Sequence, residues 1–218
     1  MSVTVDRDQA FIADVRRIAD EVAAVHADEV DRDARFPREA TDALREAGAL
    51  SAFVPEELGG GGVSLEGIAR GCYELGRRCS SSAMVFAMHQ IQVACIVRHL
   101  DDAAWFESYL GELVSEQRLI ASVTSEVGTG GDLGRSVAAV TPGENGTCTF
   151  EKQAPTVSYG AHADDLFTTL RRAPDAERRV VLVGHDPNHL EDAHAHPGRL
   201  LGGGELQVVE AEHRTHRR

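Results

Sequence analysis

The residues with the clearest capacity for chemistry lie in S-E-V-G-T-G-G-D, Ser125 to Asp132. They follow an apolar run rich in β-formers, L-I-A-S-V-T, so an extended strand feeds a segment with little side chain. Such a strand presents backbone N–H and C=O groups that match the donor and acceptor edge of a pyrimidine-like ring. The glycines let a ligand pass close to the backbone. Without a ligand the same pattern is an ordinary strand-to-loop connection.

Other candidates read more plainly. Glu126 and Glu57 are taken as loop or surface acids rather than catalytic bases. His89 lies in an apolar helix and reads as a hydrogen-bonded core histidine rather than a ligand. His185, His189, His194 and His196 fall in a stretch without period; an H-x-H pair there can capture zinc or nickel, but nothing promises a fixed second shell, and no metal site is assigned. Cys72, Cys79, Cys95 and Cys148 form no C-x-x-C pair and read as free, mostly buried thiols. Lys152, Arg171 and Arg172 read as solvated charges at strand ends, with anchoring of a phosphate as the alternative.

The elements that must position these residues follow from the pattern. Phe11, Val15, Ile18, Val22 and Val25 recur at helical spacing. Pro37 opens a second helix with Ala40, Leu44 and Ala47 on one stripe, and Gly48 follows its last turn. F-V-P-E-E-L-G-G-G-G, Phe53 to Gly62, is a loop, flexible by its four glycines. Ser64 is an N-cap for a helix with Leu65, Ile68, Cys72 and Leu75 on one face. The next segment, from Ala83 to Val97, is apolar nearly all round and suits a helix buried in a bundle. Trp105, Tyr109 and Leu113 mark one more. From residue 119 short strands take over: L-I-A-S-V-T, a hairpin through P-G-E-N-G, then L-F-T-T-L and V-V-L-V-G.

The expected fold is therefore α+β: an all-helical domain over 1–118, a small β-barrel-like domain over 119–184, and an irregular tail over 185–218, where six of the ten histidines lie. The net charge of −13 over 218 residues argues against nucleic acid or an anionic membrane as partner. No run is taken for a membrane span, and the N-terminus has no signal-peptide core, so a cytoplasmic setting is expected.

The order of these features resembles the N-terminal and middle domains of the flavin-dependent acyl-CoA dehydrogenase family over roughly residues 10 to 184. Pro55, Glu56 and the glycines after Leu58 match the family's P-E-x-G-G-x-G loop. Ser125–Asp132 matches T-E-P-x-A-G-S-D, with Ser for Thr, Val for Pro and Gly for Ser. Glu151–Asp164, E-K-x-x-P-T-V-S-Y-G-A-H-A-D, looks like the later strand facing the flavin. The resemblance implies FAD as cofactor, with Thr124 and Ser125 contacting it from one strand and Thr156 and Ser158 from the other. Thr156 stands where many members carry a tryptophan against the ring. Gly130 and Gly131 would border the acyl-CoA, Gly131 replacing a serine.

The resemblance further implies α,β-dehydrogenation of an acyl-CoA thioester, electrons passed to an electron-transfer flavoprotein, and a homo-oligomer. The family's catalytic glutamate lies on a C-terminal helical domain. That domain is expected to be missing here, so no catalytic residue is assigned, and the chain alone is expected to be nearly inactive. A frameshift near residue 184 is one explanation for the tail. A flavin-dependent monooxygenase or nitroalkane oxidase of the same fold, and a non-catalytic remnant or interaction module, are the alternatives.

Overall fold

The computed structural model of the chain describes residues 3–100, 104–130, 132, 135–142, 147–176, 179–184, 200–205 and 208–209. It divides into two compact units: residues 1–98 with 106–119, and residues 99–105 with 120–218. A helical N-terminal region is followed by a small sheet region.

The first unit holds helices α1 (Val3–Ile18), α2 (Ala24–Arg32), α3 (Arg38–Glu46), α4 (Leu65–Gly76), α5 (Ser80–Val97) and most of α6 (Ala104–Glu116). Between α1 and α2 the helix continues through one π turn, Ala19–Ala23. That turn inserts a residue and rotates the apolar face. Val15 and Ile18 are buried as expected, but the stripe resumes at Ala23 and Val30, and Val25 is left 70% exposed. Gly48 takes φ +71°, the left-handed conformation that ends α3. Ala47 is exposed at that end, while Ala40 and Leu44 are buried.

Ser64 caps α4 by accepting the Gly67 N–H at 3.1 Å. Its own N–H and hydroxyl are both held by the Asp8 carboxylate of α1. Ile68 and Leu75 face the core, whereas Leu65, at the helix start, lies outside it. Phe11 of α1 stacks on Phe86 of α5, ring centroids 6.3 Å apart.

Helix α5 is the core helix of this unit and is, by length and composition, apolar enough to cross a membrane. It nevertheless buries four polar side chains, Ser82, His89, Gln90 and Gln92. The His89 Nε2 lies 2.7 Å from the Leu50 carbonyl, and the Gln90 amide donates to the carbonyls of Ala49 and Leu50. His89 is thus a bonded core histidine.

The second unit holds β1 (Ile120–Val123), β2 (Thr141–Pro142), β3 (Thr147–Lys152), β4 (Asp165–Arg171), β5 (Arg179–Gly184), β6 (Leu200–Glu205) and β7 (Val208–Val209). They form a four-stranded sheet in the order β1-β4-β5-β7 and a three-stranded sheet in the order β2-β3-β6. β1 pairs with β4 in parallel, Ile120 opposite Asp165; β4 and β5 are antiparallel, as are β2 and β3. The expected hairpin is present, its loop at 143–146 lying outside the described residues.

Among the described residues one bridge, Ala139 with Arg171, links the two sheets. Over those same residues β4 pairs along one edge with β1 and then with Ala139, and along the other with β5. The region read as an irregular tail also contributes β6 and β7. Their partners, β3 and β5, supply hydrogen bonds that local composition could not reveal. The described core of this unit includes Ala138, Val140 and Leu170 with Phe150, Val123 and Ala154 with Val157 and Leu166, and the buried Ile120, Ala121 and Phe167.

Candidate flavin-facing site

The four residues of β1 are buried, as expected for a strand covered on both faces. The chain then leaves the sheet, and Thr124 and Ser125 become half-buried. The Ser125 hydroxyl donates to the Thr156 carbonyl at 2.5 Å, and the Val127 N–H donates to the Gln153 carbonyl at 3.0 Å. The two stretches singled out in the sequence therefore lie side by side. Thr156 is exposed and Ser158 half-buried.

A hydroxyl has one proton and two acceptor lone pairs. With its proton on Thr156, Ser125 Oγ can only accept from a ligand. Partly open backbone, hydroxyls and an acceptor on adjoining segments fit the polar edge of a flavin ring.

Glu151–Asp164 is not one continuous strand. β3 ends at Lys152, an irregular stretch follows, and the chain turns at Ser158 and Tyr159. Tyr159 adopts φ +45° and donates its hydroxyl to the Ile120 carbonyl of β1 at 2.9 Å. Burial pushes its phenol well above the ordinary range, so it stays a donor. Pro155, Gly160 and Tyr159 make this a turn.

The glycines after Ser125 also meet a demand of the backbone itself. Gly128 and Gly130 take φ +94° and +59°, where a side chain is strained. The space around Gly130 is open: a Cβ added there would meet nothing within 4 Å. The segment is a turn, closed by the Thr129 hydroxyl on the Glu126 carbonyl at 3.0 Å. Gly131 lies outside the described residues.

Glu126 and Lys152 are the main correction to the sequence reading. Neither is a surface group: their side chains are 3% and 0% exposed. Lys152 Nζ lies 3.3 Å from Glu126 Oε2 and donates to the Thr169 carbonyl at 2.7 Å. The Glu126 carboxylate also accepts the Ser136 hydroxyl at 2.9 Å and the Ala138 N–H at 2.6 Å. Burial pushes its carboxyl up, but the Ala138 amide, the Ser136 hydroxyl and the Lys152 ammonium together hold it below the usual carboxylate range. Strand alternation carried the signal: Lys152 shares a face with Phe150, which packs on the core. Arg171 is also engaged, donating to the carbonyls of Val137 and Pro174 at 2.7 and 2.5 Å.

In the first unit, the P-E-E-L-G-G-G-G loop is fastened rather than loose. A Cβ on Gly60 would lie 2.3 Å from the Val54 carbonyl oxygen, and one on Gly61 2.9 Å from that of Ala52. Arg7 of α1 binds the Gly62 carbonyl at 3.1 Å and pairs with Glu56 at 2.5 Å. Cys79 is buried, Cys72 half-buried and Cys95 exposed, all as free thiols. Among the described residues no cluster of three or more His, Cys, Asp or Glu could hold a metal ion, and the tail histidines lie outside them.

Comparison with known proteins adds to this geometry. The family model for the acyl-CoA dehydrogenase N-terminal domain matches residues 6–117. (2S)-Methylsuccinyl-CoA dehydrogenase of Cereibacter sphaeroides is 30% identical over 205 residues, covering 89% of this chain and 36% of the relative. The chain spans less than half the length of the curated relatives it matches. Butyryl-CoA dehydrogenase from Megasphaera elsdenii shares the fold at TM-score 0.72 and 20% identity, over 85% of this chain and 50% of that one. FMN-bound TdsC from Paenibacillus sp. A11-2 shares it at TM-score 0.71 and 20% identity, over 83% and 44%. The helical unit that matches the family model and the 30% relationship across most of the chain together show that this protein belongs to the acyl-CoA dehydrogenase family.

Proposed function

We propose that the chain forms the flavin-facing part of an acyl-CoA dehydrogenase, an oxidoreductase that desaturates an acyl-CoA thioester between its α and β carbons. The observation that carries the reading is the Ser125 hydroxyl on the Thr156 carbonyl, which joins two half-open segments beside β1. Thr124 and Ser125 would hold the ring edge from one segment, and Thr156 and Ser158 from the other. Gly130 and Gly131 would border the thioester side. A bound flavin would supply the redox chemistry by taking a hydride from the β carbon. This chain's residues orient the ring and offer an acceptor at Ser125 Oγ; the base that takes the α proton is assigned to none of them.

The reading carries FAD as cofactor, an acyl-CoA as substrate and an electron-transfer flavoprotein as electron acceptor. Absorption spectra of the purified chain, taken with FAD or FMN before and after desalting, test it. Retained FAD that is bleached by an acyl-CoA supports it. Exclusive retention of FMN, with oxygen consumption in its reduced form, favours the second reading: a flavin-dependent monooxygenase, supported by the shared fold of FMN-bound TdsC and the absence of a tryptophan at Thr156. Retention of neither flavin refutes both and leaves a non-catalytic remnant.

A further inference from the structure

The Glu126–Lys152 pair sits next to the candidate site without touching it. Glu126 directly follows Ser125. Lys152 directly precedes the stretch 153–156 that lies against it. The pair therefore joins the two stretches near their roots: Glu126 lies one residue from both hydrogen bonds that align them, and Lys152 one residue from Gln153 and four from Thr156.

Its other partners widen the tie. The Glu126 carboxylate is held by Ser136 and Ala138, and Lys152 by the carbonyl and hydroxyl of Thr169 on β4, at 2.7 and 3.3 Å. Four stretches of the second unit thus meet at two buried opposite charges. Sealing two charges from water is costly, and a hydrophobic pair of similar volume often serves stability as well or better. What such a pair supplies beyond apolar packing is direction: each donor and acceptor has one place to be.

We propose that Glu126 and Lys152 are positioning residues for the cofactor: their ion pair fixes the alignment of Ser125 Oγ and the Thr156 carbonyl, and so the ring edge the chain presents. This inference rests on the flavin reading above.

The full chain tests it with two variants and two probes. Glu126→Gln keeps the shape and removes the charge. Phe167→Leu trims a buried β4 side chain outside the network and serves as the control for simple destabilisation. FAD and FMN affinities are measured by fluorescence quenching, the ring environment by visible circular dichroism, and the amides of Val127 and Ala138 by hydrogen exchange in the flavin-free chain. In Glu126→Gln we expect at least a tenfold weaker flavin Kd, an altered dichroism band, and at least tenfold faster exchange at both amides together. Phe167→Leu should leave Kd within threefold and the band unchanged at a comparable loss of Tm. Should Glu126→Gln not fold, Ser136→Ala removes one donor, keeps both charges, and should show the same signs at about threefold amplitude.

A Glu126→Gln chain, or in its place a Ser136→Ala chain, with wild-type Kd and dichroism overturns the positioning role even where Tm falls. A wild-type chain that binds neither FAD nor FMN overturns the flavin reading, and the positioning role with it. That result is visible before any variant is made, so the two failures are distinct.

Discussion

Replacing Lys152 with methionine isolates one buried charge. Methionine fills a similar volume but cannot donate. The Thr169 carbonyl then loses its 2.7 Å donor, and the Glu126 carboxylate keeps only Ser136, Ala138 and its neighbours. Removing one partner of a buried pair costs about 3–5 kcal/mol because the other charge is left uncompensated. For a chain of this size the lower value corresponds to a fall in Tm of roughly 6–12 °C.

The pH dependence gives a second signature. In the wild type the Glu126 carboxyl sits below its ordinary 4.5, so its contribution is fully present above that value and is lost as pH falls through the lower folded value. In Lys152→Met burial pushes the carboxyl up with less to oppose it, so it protonates earlier as pH falls. The deficit should be widest near neutral pH and shrink toward pH 4. Thermal unfolding by circular dichroism at several pH values, with hydrogen exchange at β4 and α5 to separate the units, is the assay. Exchange in α5 should not change. Adding Glu126→Gln on this background should recover part of the loss. A deficit below about 1 kcal/mol, or one that is constant with pH, would refute the reasoning.

Two glycine substitutions should have opposite signs. Gly60→Ala drives a Cβ to 2.3 Å from the Val54 carbonyl oxygen and should cost about 2 kcal/mol or more in urea unfolding. Gly111→Ala, in the middle of α6 with nothing within 4 Å, should stabilise by up to about 1 kcal/mol. Ser64→Ala removes the cap of α4 and a partner of Asp8 and should cost about 1–2 kcal/mol. Burial raises the Cys72 thiol to about 11, so native chain treated with iodoacetamide at pH 8 should show little adduct there by peptide mass spectrometry, and full adduct in urea.

The sequence by itself determined the local elements and their order. Pro37 and Gly48 bracket α3, Ser64 caps α4, and β1 to β5 fall in the runs that alternation and turn residues marked. These features are legible because capping, left-handed glycines and apolar runs act between residues close in the chain. The candidate site was legible in the same way, as two stretches each with its own pattern.

Only the tertiary structure decided what those stretches do to one another. The π turn at Ala19–Ala23 turned Val25 outward, which no repeat of three and four residues announces. β6 and β7 formed from unpromising sequence because β3 and β5 offered free edges. Glu126 and Lys152 read as surface charges, since a charged residue is seldom fully buried without a partner. The partner lies 26 residues away, and burial became tolerable only when the fold brought the two to 3.3 Å beside Ser136, Ala138 and Thr169. Chain-local patterns set the elements; pairing energies between distant residues set which faces, edges and charges end up inside.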